Sequence, residues 1–108
     1  MQVDQAAFAP EQKGTKNLSV TASSGNVQWR TNTNARAHHC QIYNPSATVI
    51  VFVEFGSDNT VAASTTASIP VAPGRTVILS GAGDWVAAIG SAAGPTTVYF
   101  TPGYGGLS

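Results

Sequence analysis

The sequence predicts an all-β protein: an antiparallel β-sandwich, jelly-roll-like, built from about seven to nine short strands. Three observations predict this class. Short runs of β-branched and aromatic residues recur along the chain, and turn signals separate them at intervals of roughly ten residues. No run of about ten residues carries helix start and stop signals. The chain has 108 residues, which is enough for one domain.

The densest apolar run lies within residues 40–56 and centres on five consecutive β-branched or aromatic residues, Val49, Ile50, Val51, Phe52 and Val53. Such residues fit a pleated, buried surface. We interpret residues 37–43 and 48–55 as two antiparallel strands joined by a short turn at Asn44-Pro45-Ser46, because proline fixes φ and lacks a donor. The second strand is apolar on both faces, which places it at the centre of its sheet.

The remaining strands follow from alternation and from turn dipeptides. They are predicted at residues 17–22, 27–30, 75–80, 85–90 and 96–101, with weak strand character at 60–68. The stretch 69–74 contains two prolines and is predicted to be at most an edge strand that leads into the turn Pro73-Gly74. In the strand that contains Cys40, the side chains of Cys40 and Ile42 share one face, and those of His39, Gln41 and Tyr43 share the other.

Three regions result: an N-terminal arm (1–16), a β-sandwich domain (17–101) and a C-terminal tail (102–108), since Pro102 and the glycines after it are not expected to continue a sheet. The arm either reaches along a neighbouring protein or is a frayed terminus. If the arm reaches along a neighbouring protein, apolar residues are expected to anchor it there. The candidate partner-binding residues of arm and tail are Val3, Phe8, Tyr104 and Leu107.

Charge is scarce. Only 9% of residues are charged, against roughly 25% in an average soluble domain, and five basic residues balance five acidic ones. Nucleic-acid binding normally needs a basic excess, and membrane-surface binding needs basic amphipathic helices; neither is present in the sequence. Because interface cores are depleted of charge, we interpret the chain as a subunit that works packed against other protein.

Cys40 is the only cysteine, so no disulfide can form within the chain. Residues 1–16 lack the basic and apolar regions of a signal peptide, which predicts synthesis and assembly in a reducing cytoplasm.

No catalytic, cofactor-binding or metal-binding residues are predicted. His38 and His39 are adjacent on a strand and therefore point to opposite faces, and with one cysteine the ligand count for structural zinc fails. Glu54 and Asp84 could form a carboxylate pair only through folding; a strand end and a turn explain them better. We expect no enzyme activity. The tryptophans and tyrosines could line a sugar-binding face, but core or interface packing is favoured.

A series of motifs occurs in a fixed order along the chain: Asn44-Pro45-Ser46, Val51-Phe52-Val53-Glu54-Phe55-Gly56, Ile69-Pro70-Val71-Ala72-Pro73-Gly74, Trp85-Val86-Ala87-Ala88-Ile89 and Thr97-Val98-Tyr99-Phe100-Thr101-Pro102-Gly103-Tyr104-Gly105. In these motifs the chain resembles a group of small tailed-bacteriophage virion proteins, and the resemblance covers roughly residues 17–106.

The resemblance implies a non-enzymatic structural protein, a capsid decoration (cement) protein with a β-sandwich fold. Such a protein would bind the outer head surface of the virion and stabilise contacts between major capsid subunits. Its partners would be the major capsid protein and itself, as a homodimer or homotrimer, with no nucleic acid, membrane or cofactor. It would be assembled in the cytoplasm of a host bacterium. The alternative is a glycan- or receptor-binding module of a head fibre or tail, which predicts Trp29 or Trp85 exposed on loops.

Overall fold

The computed structural model describes residues 9–10, 14–30, 39–81 and 83–104. These residues form an all-β sandwich of antiparallel strands and no helix, as the sequence predicts. In chain order the strands are β1 (Ala9–Pro10), β2 (Lys16–Val20), β3 (Gly25–Gln28), β4 (His39–Tyr43), β5 (Val51–Gly56), β6 (Ile69–Val71), β7 (Thr76–Ser80), β8 (Trp85–Gly90) and β9 (Thr96–Tyr104). No helix in the described part of the chain is long and apolar enough to cross a membrane.

The strands form two sheets. The five-stranded sheet has the order β1-β9-β4-β7, with β2 also paired to β9, and the four-stranded sheet has the order β3-β8-β5-β6. Four pairs are nested in sequence: β2 with β9, β3 with β8, β4 with β7, and β5 with β6. A long hairpin rolled up on itself pairs its strands in this way, and the result is a jelly roll.

The core lies between the two sheets. It is built from the inward-facing positions of both, which are mostly valines, together with Trp29, Cys40, Ile42, Ala88 and Phe100. Strict alternation explains this selection, because every second residue of a strand points to the same face. β5 pairs with β6 on one side and β8 on the other, so the strand predicted to be central is central in its sheet.

The connection between β4 and β5 differs from the prediction. We expected these neighbours to pair, but β4 belongs to the five-stranded sheet and β5 to the four-stranded one. Asn44 provides the physical reason: its side chain is fully buried and its Nδ2 donates to the carbonyls of Val49 (2.9 Å) and Val71 (3.1 Å). These carbonyls belong to the region of the four-stranded sheet, so Asn44 directs the chain from one sheet to the other.

Two further predictions need correction. Residues 60–68 contain turns and irregular segments but no strand, and β9 continues past Thr101 to Tyr104. Proline is tolerated inside β9 because neither β1 nor β2 pairs with Thr101 or Pro102 on that side of the strand. There β2 pairs with β9 as far as Phe100, and β1 pairs with Gly103 and Tyr104. Pro102 itself is buried opposite Cys40.

Candidate interaction surface

The two outer faces of the sandwich differ, because one of them is covered by the protein itself. Residues 57–68, which connect β5 to β6, lie across the outer face of the four-stranded sheet. Ala87 on β8 points to this outer side, between the inward-facing Val86 and Ala88, yet it is fully buried. The connection therefore forms a third layer over the centre of this sheet.

Hydrogen bonds fix the 57–68 connection on both sides of Ala87, whose neighbours in the sheet are Asn26 and Glu54. Asn26 Nδ2 donates to the carbonyl of Asn59 at 2.8 Å. On the other side, the hydroxyl of Ser68 donates to Glu54 Oε1 at 2.8 Å. Glu54, predicted to be an outward residue at a strand end, is indeed exposed and holds this loop.

The outer face of the five-stranded sheet carries no such layer among the described residues. Its outward positions alternate with core residues along β2, β4, β7 and β9. These positions are occupied by Asn17, Ser19, His39, Gln41, Tyr43, Thr76, Ile78, Ser80, Thr97, Tyr99 and Thr101. None of these eleven residues is Asp, Glu, Lys or Arg.

Two tyrosines lie side by side on β4 and β9, the two inner strands of this face. Tyr43 and Tyr99 are direct partners on β4 and β9, and their rings are stacked with centroids 6.3 Å apart and planes 22° apart. They remain 42% and 39% exposed, and Ile78 on β7, which pairs with Gln41 in the next outward row of the sheet, is 37% exposed. We define the eleven outward residues of this sheet, which include Tyr43, Tyr99 and Ile78, as the open face.

The open face ends in a row formed by Gly103, His39 and Ser80. His39 is half-buried, and its Nδ1 is buried without a hydrogen-bond partner among the described residues. A buried polar atom of this kind normally has a partner. Next to this row, the hydroxyls of Thr15 and Thr101 share a hydrogen bond of 2.8 Å, which ties the start of β2 to β9.

Trp29, unlike the two exposed tyrosines, is an aromatic residue of the core. Its side chain is fully buried, its Nε1 donates to the carbonyl of Gly83 at 3.0 Å, and its ring meets that of Phe55 edge-on. Arg30 lies over the indole at 5.0 Å and forms an ion pair with Asp84 at 2.8 Å. This cluster fastens the β7–β8 turn to the end of β3, so Asp84 is a turn residue, as predicted, with a structural partner that the sequence did not indicate.

Cys40, Glu54 and Asp84, which the sequence analysis considers for chemistry, have structural roles in the fold. Burial raises the pKa of the Cys40 thiol far above its ordinary value, so the thiol stays protonated in the folded protein. Glu54 contacts Ser68, and Asp84 contacts Arg30. In the described ranges, no three His, Cys, Asp or Glu side chains are grouped closely enough to hold a metal ion.

The predicted partner-binding residues are mostly not described. Val3, Phe8 and Leu107 lie outside the described residues, and Tyr104 is described only by its backbone, which pairs with Ala9 at the end of β9. The open face was not predicted as a site. Alternation contained the signal, since Tyr43 and Tyr99 each stand next to inward-facing core residues and must point outward.

Comparisons with known proteins add no relative: no protein-family model matches the chain, and neither the curated proteins nor the solved structures contain a match.

Proposed function

We propose that this protein is a non-enzymatic structural protein of a bacteriophage virion: a capsid decoration protein that binds the outer head surface and stabilises contacts between major capsid subunits. In this proposal its partners are the major capsid protein and further copies of itself, with no nucleic acid, membrane or cofactor. It is assembled in the host bacterial cytoplasm and resides on the head. The observation that carries the proposal is the open face, a sheet surface that has no Asp, Glu, Lys or Arg at its described outward positions and carries two stacked, exposed tyrosines.

The physical argument rests on the cost of removing water. Charged side chains are expensive to desolvate, which is why the centres of protein interfaces are depleted of them and enriched in tyrosine. The open face meets both criteria among its described positions. The motif order that resembles tailed-phage virion proteins supports the identity of the partner, and the low charge of the whole chain, 9%, supports a protein that functions while covered by other protein.

The fold supports a passive role. Trp29 is fully buried, and Trp85 is half-buried on strand β8 and does not lie on a loop. A glycan-binding module built on loop tryptophans needs these rings exposed, so the observed burial of Trp29 favours the decoration protein over that alternative. The exposed aromatic rings are those of Tyr43 and Tyr99, and they lie on strands in the middle of a sheet.

A binding experiment with phage heads tests the proposal. Purified protein is mixed with heads that lack it, and the bound fraction is measured by co-sedimentation over a range of concentrations. We expect saturable binding. Tyr99→Glu introduces a charge at the centre of the open face and should weaken binding at least about tenfold, which corresponds to about 1.4 kcal/mol.

Ala62→Glu is the matched control. Ala62 is exposed in the 57–68 connection, on the opposite side of the sandwich from the open face, and the change adds the same charge. It should leave binding unchanged. Failure of the wild-type protein to bind heads, or equal loss in the two variants, would contradict the proposal.

A further inference from the structure

β7 is an unprotected edge of the five-stranded sheet. It pairs with β4 on one side, and no described strand pairs with it on the other. Its sequence, Thr-Val-Ile-Leu-Ser, has high β-propensity and contains neither charge nor proline. An edge strand of this kind presents unpaired N–H and C=O groups that another strand can bind.

The other sheet edges are protected in recognised ways. β6 contains Pro70, which cannot donate a backbone hydrogen bond, and β2 begins with the charged Lys16. Beside β3, the 57–68 connection is attached through Asn26 and through a bond from the Ala63 amide to the Ser24 hydroxyl. β7 alone of these edges has no such device among the described residues.

β7 is also complementary to itself. When two copies pair antiparallel about a twofold axis through Ile78, the Ile78 side chains of both copies stand opposite each other on the outer face. Val77 of one copy then stands opposite Leu79 of the other, and Thr76 stands opposite Ser80. Every apolar residue of the strand meets an apolar residue, and each hydroxyl residue meets a hydroxyl residue, which are favourable cross-strand pairs.

The charges flanking the strand permit this pairing. Arg75 precedes β7, and in the twofold register it stands opposite Gly81 of the other copy, at the far end from the second Arg75. Like charges therefore do not face each other. Pairing about a twofold axis also closes the assembly, since each copy uses its single β7 edge and leaves none free for a third copy.

We propose that two copies of this chain form a homodimer by antiparallel pairing of their β7 strands, which joins two five-stranded sheets into one continuous sheet. The open faces of both copies then lie side by side on one surface, and Ile78 links them across the axis. This dimer would be the self-associated form included in the proposed function, and it is tested on the isolated protein. If the isolated protein does not dimerise, the proposal that it binds heads still stands. If it does not bind heads, the proposed dimer still stands.

The first test is the mass in solution by size-exclusion chromatography with light scattering. The chain has a mass of 11.1 kDa, and we expect the wild-type protein to have twice that mass. Ile78→Lys places two ammonium groups opposite each other at the axis and should return the mass to that of one chain. Ile69→Lys is the matched control, because Ile69 is an isoleucine of similar exposure on β6, the proline-containing edge. It should remain dimeric.

The second test fixes the register. In the proposed dimer the two Ile78 Cα atoms are about 4.5–5.5 Å apart, which lies within the Cα separations that a disulfide bridges. Ile78→Cys should therefore cross-link into a covalent dimer under mild oxidation, whereas Ile69→Cys should not; Cys40 is buried and remains free in both. A wild-type mass of one or three chains, a dimer that persists in Ile78→Lys, or the absence of an Ile78→Cys cross-link would overturn the proposal.

Discussion

The most demanding structural prediction concerns the substitution of Asn44. Asn44 is a fully buried polar side chain at the point where the chain leaves the five-stranded sheet for the four-stranded one. Its Nδ2 donates to the carbonyls of Val49 (2.9 Å) and Val71 (3.1 Å), with a longer contact to that of Ala72 (3.4 Å). Its Oδ1 accepts from the amide of Ser46 at 3.1 Å. Asn44→Ala removes all of these bonds and offers no replacement.

The expected loss follows from the number of groups left without partners. A buried carbonyl that loses its donor costs about 1–3 kcal/mol, and two carbonyls, those of Val49 and Val71, are affected most directly. We therefore expect Asn44→Ala to lower the free energy of unfolding by about 2–6 kcal/mol. That is a large share of the roughly 5–15 kcal/mol by which native domains are stable. Asn44→Asp should cost more at neutral pH, because it sets a carboxylate against carbonyl oxygens.

Asn26→Ala is the matched control. The Asn26 amide also donates to two carbonyls, those of Asn59 (2.8 Å) and Val61 (3.3 Å), but at a more exposed site. Water can replace these bonds, so we expect a loss of about 1 kcal/mol or less. Urea denaturation followed by tryptophan fluorescence measures both variants, since buried Trp29 becomes exposed on unfolding. A loss in Asn44→Ala no larger than that in Asn26→Ala would refute the role assigned to Asn44.

Two further predictions concern backbone conformation and thiol ionisation. Gly83 has φ 102°, and a Cβ there would collide with the carbonyl oxygen of Gly56, whereas Gly74 has φ 72° and open space around it. Gly83→Ala should therefore destabilise by more than about 2 kcal/mol and Gly74→Ala by about 1 kcal/mol in thermal denaturation; equal losses would contradict the close approach. Burial raises the pKa of Cys40, so above the ordinary thiol pKa of about 8.5 the unfolded chain releases a proton that the folded chain retains. Stability should fall as pH rises through this range, by up to about 1.4 kcal/mol per pH unit, and Cys40→Ala should lack this part of the slope; identical slopes in both proteins would show that the thiol ionises freely in the fold.

Much of the fold could be predicted because strand signals are local. Alternation identified the buried and outward residues of β4, and the two prolines of residues 69–74 correctly marked β6 as an edge strand. The pairing of strands is not determined locally, and the predicted pairing of β4 with β5 is wrong. There the deciding contact joins Asn44 to Val71, residues that are 27 positions apart.

The candidate site was harder to predict for the same reason. Nothing in residues 57–68 indicates that they fold over Ala87 and cover one sheet, and this covering is what distinguishes the two outer faces. Pro102 was expected to end the last strand, but it lies where the flanking pairing is interrupted. Both outcomes depend on where distant segments meet, which residue patterns do not specify.

A cryo-EM map of the phage head tests the central claim most directly. We expect this jelly roll on the outer surface, with the open face around Tyr43 and Tyr99 covered by protein and the 57–68 connection turned away from that contact. Absence of the protein from the head, or a head-bound protein whose Tyr43 and Tyr99 face solvent while the 57–68 connection contacts the capsid, would contradict the account.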